Sequence, residues 1–251
     1  MKCIISCEHA SNRVPPHFSH LFQGKEKVLN SHQAYDHGAA RLARSLAKQL
    51  YANVHLGTIT RLLIDLNRSP TNRKTLFTAY SRQLDQGDRQ LLFKGYYLPY
   101  REKVEGEIDG IAGRGRPVLH ISLHSFATVK SGRIRKADIG LLYDPSRKHE
   151  RELSVFLADF FKQEMTSFRI RRNYPYLGKS DGFTAYLRRK HNDRTYAGIE
   201  IEINQALLLN NNSDNKKTPI VLAEGLRYIL QLKEFSEIAK KLKSWGKKKC
   251  K

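Results

Sequence analysis

The sequence predicts an α/β protein with a central mixed, mainly parallel β-sheet and helices on both faces. Three observations carry that expectation. Short apolar runs of strand type recur along the chain, stretches with helical spacing separate them, and several runs stop on a residue able to bind metal or move a proton. Strands joined through helices need crossover connections, which favour parallel pairs and a sheet covered on both sides.

The elements follow in order. KCIISC opens the chain as a short buried strand that stops at Glu8 and His9, ahead of a polar turn with Pro15 and Pro16. From Tyr35 to Leu50, residues Ala39, Ala40, Leu42, Ala43, Leu46, Ala47 and Leu50 recur at helical spacing. An amphipathic helix is therefore expected to begin near Asp36, whose charge suits a helix amino end. Val54 to Leu66 reads as one or two strands, broken by Asn67, Arg68, Ser69 and Pro70. Asp85 to Ile111 is mostly helical in pattern, and Val118 to Leu123 is a buried strand that ends on His124. ADIGLLYD gives a further strand, followed by a helix from about Arg147 to Met165 and the loop RRNYPYLGKSDGF. In YAGIEIEINQ, Ile199, Ile201 and Ile203 alternate with Glu200 and Glu202, so strand periodicity puts both carboxylates on one face.

Composition narrows the function. With 251 residues, 40% hydrophobic and 27% charged, the chain has material for a real core, and a single domain over residues 1–239 is expected. Residues 240–251, with seven lysines, form a basic tail expected to be disordered. No run approaches the roughly 18 to 20 apolar residues that span a bilayer. Three cysteines, odd in number, fit a reducing compartment, so a cytoplasmic location is expected. Cys7 lacks metal-type spacing and is read as core. The net charge of +21 and the basic stretch from Arg169 to Arg194 raise the possibility of a polyanion partner. No helix-turn-helix, zinc-finger or RNA-binding aromatic motif accompanies them, which disfavours nucleic acid as the main partner. The lack of a phosphate-cradling glycine loop counts against a nucleotide enzyme.

Open α/β sheets place ligands beyond the carboxyl ends of their strands, so Glu8, His9, Asn67, Arg68, His124 and Glu202 are candidates to converge on one crevice. Two imidazoles and a carboxylate with one open position describe a catalytic zinc site, beside which a glutamate would take a proton. Each residue also has an ordinary reading: a strand-end histidine as a hydrogen-bonded structural group, Arg68 as a turn cap, Asp36 as a first-turn helix acid. Glu202 sits among β-branched neighbours that favour a central strand, where an inward acid needs a reason.

Taken together, SCEHASNRVPP, AYDHGA, RLLIDLNRSP, ISLHSF, ADIGLLYD, NYPYLGKSDGFT and GIEIEINQ resemble the N-formylglutamate amidohydrolase family in order and spacing, from residue 4 to about 208. The resemblance implies a zinc-carboxypeptidase-like fold, shared with aspartoacylase, and one Zn2+ per chain. It makes His9, Asp36 and His124 the metal ligands. Carboxypeptidases and aspartoacylase place a glutamate three residues after the first histidine; Asn12 stands there in this chain, so Glu8 is the alternative acidic ligand. Asn67 and Arg68 correspond to an Asn-Arg pair that holds a substrate carboxylate or polarises its carbonyl. Glu202 corresponds best to the general base, with Glu200 also in play. Arg133 or Arg135, with Arg172, Asn173 and Thr184, would line the rest of a pocket for a small anionic N-acyl amino acid, N-formyl-L-glutamate first.

Overall fold

Residues 1–209 and 213–240 are described in the structure, a computed structural model, so the expected basic tail lies outside the described residues except for Lys240. The strands are β1 (Lys2–Cys7), β2 (Asn53–Leu56), β3 (Val118–Phe126), β4 (Val129–Lys130), β5 (Arg133–Ile134), β6 (Ile139–Leu142), β7 (Ile170–Arg172) and β8 (Tyr196–Asn204). The helices are α1 (Glu26–Leu29), α2 (Ala39–Leu50), α3 (Arg73–Leu76), α4 (Gln86–Leu92), α5 (Leu98–Ala112), α6 (Lys148–Glu164), α7 (Phe183–Lys190), α8 (Gln205–Leu209) and α9 (Ser213–Leu230). Among the described residues no helix is long and apolar enough to cross a membrane.

One sheet runs in the order β2-β1-β3-β8-β6-β7, and β4 and β5 form a separate hairpin. Every neighbouring pair in the large sheet is parallel except β6 with β8. This is the mixed, mainly parallel sheet expected from the sequence.

Period-two alternation gives the two faces different chemistry. Cys3, Ile5 and Cys7 of β1, Leu119, Ile121 and Leu123 of β3, and Ala197, Ile199, Ile201 and Ile203 of β8 pack into one apolar cluster with α2, α6 and α9. The intervening residues point the other way. Ile4, Val118 and Tyr196 are covered there by Val104 and Ile108 of α5 and by Phe183 and Leu187 of α7. Further along the same face the buried residues become polar: Ser6, His120, Ser122, His124, Glu200 and Glu202. In register, Ser122 stands beside Glu200 and His124 beside Glu202. The apolar face therefore drives the packing, and the opposite face carries the chemistry at its carboxyl end.

Two boundaries differ from the sequence reading. The first long helix begins at Ala39 and not near Asp36, because Gly38 lies at φ +76° and breaks the path; its missing Cβ would stand 2.6 Å from Leu208 Cβ. Asp36 stays on the approach to the helix, facing the strand ends. In Val54 to Leu66 only β2 forms. The rest turns away into a second apolar cluster, where Ile59, Leu62, Leu63, Ile64 and Leu66 pack with Phe18, Phe22 and Tyr97. The backbone there pairs outside any sheet, Thr60 N with Arg13 O and Arg61 N with Ala34 O.

Gly57, just after β2, shows how tightly the strand ends are held. A Cβ built there would lie 2.0 Å from the carbonyl oxygen of Glu8, and Gly57 N bonds Cys7 O at 2.9 Å. Backbone must move to accommodate it. Gly57→Ala is therefore expected to destabilise the protein by about 2 kcal/mol or more, seen as a fall of roughly 4–8 °C in Tm by circular dichroism; an unchanged Tm would mean the strand ends yield freely.

Candidate active site

The carboxyl ends of β1, β3 and β8 meet at a cavity of about 530 Å³, lined among others by His9, Asp36, Asn67, His124, Glu200 and Glu202. His9 follows β1, His124 lies within β3, and both glutamates lie on β8. Asp36 is brought in by a backbone bond from its N–H to the carbonyl of His9, 2.9 Å.

Each imidazole has one nitrogen tied back to a buried acid and the other turned to Asp36. His9 Nε2 is 2.7 Å from Asp65 Oδ1, and its Nδ1 is 3.4 Å from Asp36 Oδ2. His124 Nδ1 is 2.8 Å from Asp36 Oδ2, while its Nε2 is 3.2 Å from Glu8 Oε2 and 2.9 Å from Ser122 Oγ. His9, Asp36 and His124 each offer a ligand atom within 4.8 Å of the others, all three residues being buried. His9 Nδ1 is buried without a hydrogen-bond partner, as a nitrogen reserved for a cation would be. Carboxylates behind ligating histidines fix which nitrogen stays bare. The donor set fits a divalent metal.

The electrostatics agree with the geometry. Burial by itself would raise Asp36, but the charge of His9 and the hydrogen bond and charge of His124 hold it well below the ordinary carboxylate range. Glu8, equally buried, is held low by its hydrogen bond and charge contact with His124. His124 is opposed by burial yet raised well above its usual value by Asp36 and Glu8. Asp65 resists its burial through Arg61, His9 and Arg68. Glu202 differs: burial, reinforced by Asp36 and Glu200, outweighs the attraction of His124 and pushes its carboxyl up to about 7. Its Oε2 has no hydrogen-bond partner.

The other sequence-predicted residues divide. Glu8 does not join the cluster; it lies behind His124, where its carboxylate accepts from Ser122 Oγ at 2.7 Å and from Tyr100 Oη at 3.1 Å. Asn12 is also remote, donating to Leu29 O and Asn30 Oδ1. Glu200 accepts a hydrogen bond from the Thr184 hydroxyl, so Thr184 acts behind the glutamate. Asn67 lines the cavity, accepts from Phe183 N at 2.7 Å and places its Nδ2 3.4 Å from His124 Nε2. Arg68 lines it too, with Nη1 donating to Asp181 O and Nε 3.9 Å from Asp65. Of the two hairpin arginines, Arg135 lines the cavity, whereas Arg133 is exposed and does not. Arg172 is also exposed, 3.4 Å from Tyr143 Oη, and does not line it. Asn173, at φ +49°, accepts from Tyr143 N and Gly178 N and shapes the following loop. Arg133, Arg172 and Asn173 thus fall outside the pocket expected for them, because the short β7 and the tight hairpin turn their side chains elsewhere.

Sequence reasoning missed Asp65, Arg61 and Ser122. Arg61 Nη2 is 2.8 Å from Asp65 Oδ2, four residues on, and the pair sits inside the same RLLIDLNRSP segment that carries Asn67 and Arg68. Ser122, His124 and Asp36 also form a Ser-His-Asp chain, but the serine is fully buried and its hydroxyl is given to Glu8. It has no path to a substrate.

A mainly parallel α/β sheet here gathers two histidines, an aspartate and a glutamate with a bare buried oxygen at its strand ends in one cavity, and the matching family makes the protein one of the hydrolases. The chain belongs to the N-formylglutamate amidohydrolase family, whose model matches residues 1–209. Among solved structures it is similar to the gene product Atu2144 from Agrobacterium tumefaciens, at 27% identity over 91% of each chain with a TM-score of 0.74. It is also similar to an N-formylglutamate amidohydrolase from Ralstonia eutropha JMP134, at 18% identity over 92% of this chain and 93% of that one, TM-score 0.69. A comparison with curated proteins finds no match.

The raised Glu202 carboxyl has a thermodynamic signature. Its pKa is about 7 folded against 4.5 for an ordinary glutamate side chain, so the folded state binds the extra proton between those values and loses stability as pH rises through them. In metal-free protein, Glu202→Gln should gain stability relative to the parent between pH 5 and pH 8, by at most about 3 kcal/mol. Urea unfolding at the two pH values measures it; a constant difference would show that Glu202 ionises normally.

Proposed function

We propose that this protein is a zinc-dependent amidohydrolase that cleaves the amide bond of an N-acyl amino acid, with N-formyl-L-glutamate, giving L-glutamate and formate, as first candidate. One observation carries the reading: both imidazoles are tied back by acids, leaving His9 Nδ1 and His124 Nδ1 on either side of Asp36 beside an unpaired Glu202. Zn2+ held by His9, Asp36 and His124 would supply a Lewis acid that polarises the amide carbonyl and acidifies water.

The chain's own residues supply the rest. Glu202, whose Oε2 is left without a hydrogen-bond partner, takes the proton of the attacking water and passes it to the departing amine nitrogen. Glu200, fixed by Thr184, keeps a second negative charge nearby that raises the basicity of Glu202. Arg68 presents its guanidinium to the α-carboxylate that every N-acyl amino acid carries. Asn67, clamped to the start of α7, holds its amide at the cavity wall to orient the acyl group. Residues 1–239 are read as one catalytic domain, since strands from residues 2 to 204 build a single large sheet around the site. Cys3 and Cys7, both buried free thiols, support a cytoplasmic setting.

Elemental analysis of purified protein, beside formate release from N-formyl-L-glutamate with and without chelator, tests the reading. About one zinc per chain and chelator-sensitive turnover are expected. No metal after zinc is supplied would overturn the metal centre, and metal without turnover would overturn the substrate. His124→Ala should lose metal and activity together. Glu202→Gln should keep the metal and lower kcat by about 10²–10⁴-fold; if Glu200→Gln does so instead, the proton shuttle is Glu200. Arg68→Ala should raise KM for N-formyl amino acids with acidic and neutral side chains alike.

A further inference from the structure

Two segments place Asn67 and Arg68 at the cavity, and Arg101 of α5 touches both. The first is the turn from Asp65 to Arg68, which presents two main-chain carbonyls to Arg101: its Nη1 donates to Leu66 O at 3.2 Å and to Arg68 O at 3.5 Å. Tyr97, just before α5, donates its hydroxyl to the same Arg68 O at 2.7 Å. The second is the start of α7, where Phe183 N donates to Asn67 Oδ1 and the Thr184 hydroxyl donates to Glu200. Arg101 lies against it. Its guanidinium carbon is 3.7 Å from the centre of the Phe183 ring, 4.7 Å from that of Tyr186 and 5.4 Å from that of Tyr97.

Such a residue is expensive as mere packing. Arg101 is 4% exposed and among the described residues forms no ion pair, so a full charge is buried against ring faces and carbonyl oxygens alone. A hydrophobic side chain of similar length would fill the space without that penalty. What the guanidinium adds is a joint: its faces take aromatic rings while its edge donates to oxygens. The turn needs one there. The N–H groups of Asn67 and Arg68 are used inside it, on Asp65 Oδ1 at 3.0 Å and Asp65 O at 3.1 Å, so its carbonyls are what anchor it towards α5.

We propose that Arg101 is a positioning residue for substrate binding: set between the rings of α7 and the carbonyls of the Asp65–Arg68 turn, it fixes where the Arg68 guanidinium meets the substrate α-carboxylate. This rests on the amidohydrolase reading above, in which Arg68 takes that carboxylate. Arg101 does not line the catalytic cavity and acts through the main chain of Arg68, a task it shares with Tyr97. A guanidinium pairs with a carboxylate through two parallel bonds, so a small displacement of the turn weakens both. The loss then falls on affinity for the carboxylate, while His124, Glu200 and Glu202 stay where β3 and β8 put them.

The test uses zinc-loaded protein and two substrates, N-formyl-L-glutamate and 4-formamidobutanoate, which is the same molecule without its α-carboxylate. In Arg101→Met, KM for N-formyl-L-glutamate should rise about tenfold with kcat within about twofold of the parent, while KM for 4-formamidobutanoate stays at the parent value. Tyr97→Phe keeps the ring and loses only the hydroxyl on Arg68 O; it should raise the same KM by about threefold, and it carries the test if Arg101→Met does not fold. Introduced into Arg68→Ala, Arg101→Met should add less than about twofold, because the two act as one unit. No change in KM, equal rises on both substrates, or full additivity with Arg68→Ala would overturn the proposal and leave the hydrolase reading intact. Amide hydrogen exchange reads the same joint without turnover: Asn67 and Phe183 should exchange faster in Arg101→Met while β3 and β8 keep their parent rates. Unchanged exchange at both amides would overturn the joint. Faster exchange there, in a protein that turns over neither substrate, would support the joint and overturn the reaction.

Discussion

Buried negative charge is the constraint around which this molecule is organised. Glu8, Asp36, Asp65, Glu200 and Glu202 are each no more than 8% exposed, at one end of one sheet. Carboxylates so placed stay ionised only when cations or donors stand among them. His124 stands between Asp36 and Glu8, His9 between Asp36 and Asp65, and Arg61 spans Asp65 and Asp36. Glu200 has the Thr184 hydroxyl. Glu202 alone among the five has a buried oxygen with no hydrogen-bond partner, and burial pushes its carboxyl up. The allocation of partners thus sets chemically similar side chains in different electrostatic states.

Parallel strands explain why so many acids and imidazoles meet. β1, β3 and β8 all point the same way, so the residues that end or follow them collect at one edge without long loops. The two faces of the sheet then share the work. One is apolar throughout and packs α2, α6 and α9. The other tolerates His120, Ser122, His124, Glu200 and Glu202 because they bond one another or open onto the cavity; His120, for example, is held by Ser6 and Tyr196 at 2.8 Å each.

Much of this was legible in the sequence where a residue's surroundings are local. KCIISC, VLHISL and GIEIEI are short apolar runs whose polar ends stand out, and the alternation in β8 by itself puts Glu200 and Glu202 on one face. What stayed hidden depends on distant partners. Asp65 lies in a turn that the sequence reads as strand, since Ile59 to Leu66 is as apolar as a strand yet packs against Phe18 and Tyr97 instead of a sheet neighbour. The choice between Glu8 and Asp36 hinges on which side of His124 each approaches, and spacing along the chain says nothing of that. Arg133 and Arg135 are two residues apart on one short hairpin, and only the loop around Tyr176 distinguishes them.

The strand order has a consequence for how the molecule is made. β8 lies in the middle of the sheet, between β3 and β6, yet it is the last of the sheet's strands to be synthesised. A nascent chain that has released β1 and β3 already carries His9, Asp36 and His124, but β3 then presents the open, largely apolar edge VLHISLHSF. Until residues 196–204 leave the ribosome, that edge has no partner strand on its β8 side. The cavity follows the same schedule: Glu200 and Glu202 join its wall only with the strand that closes the sheet.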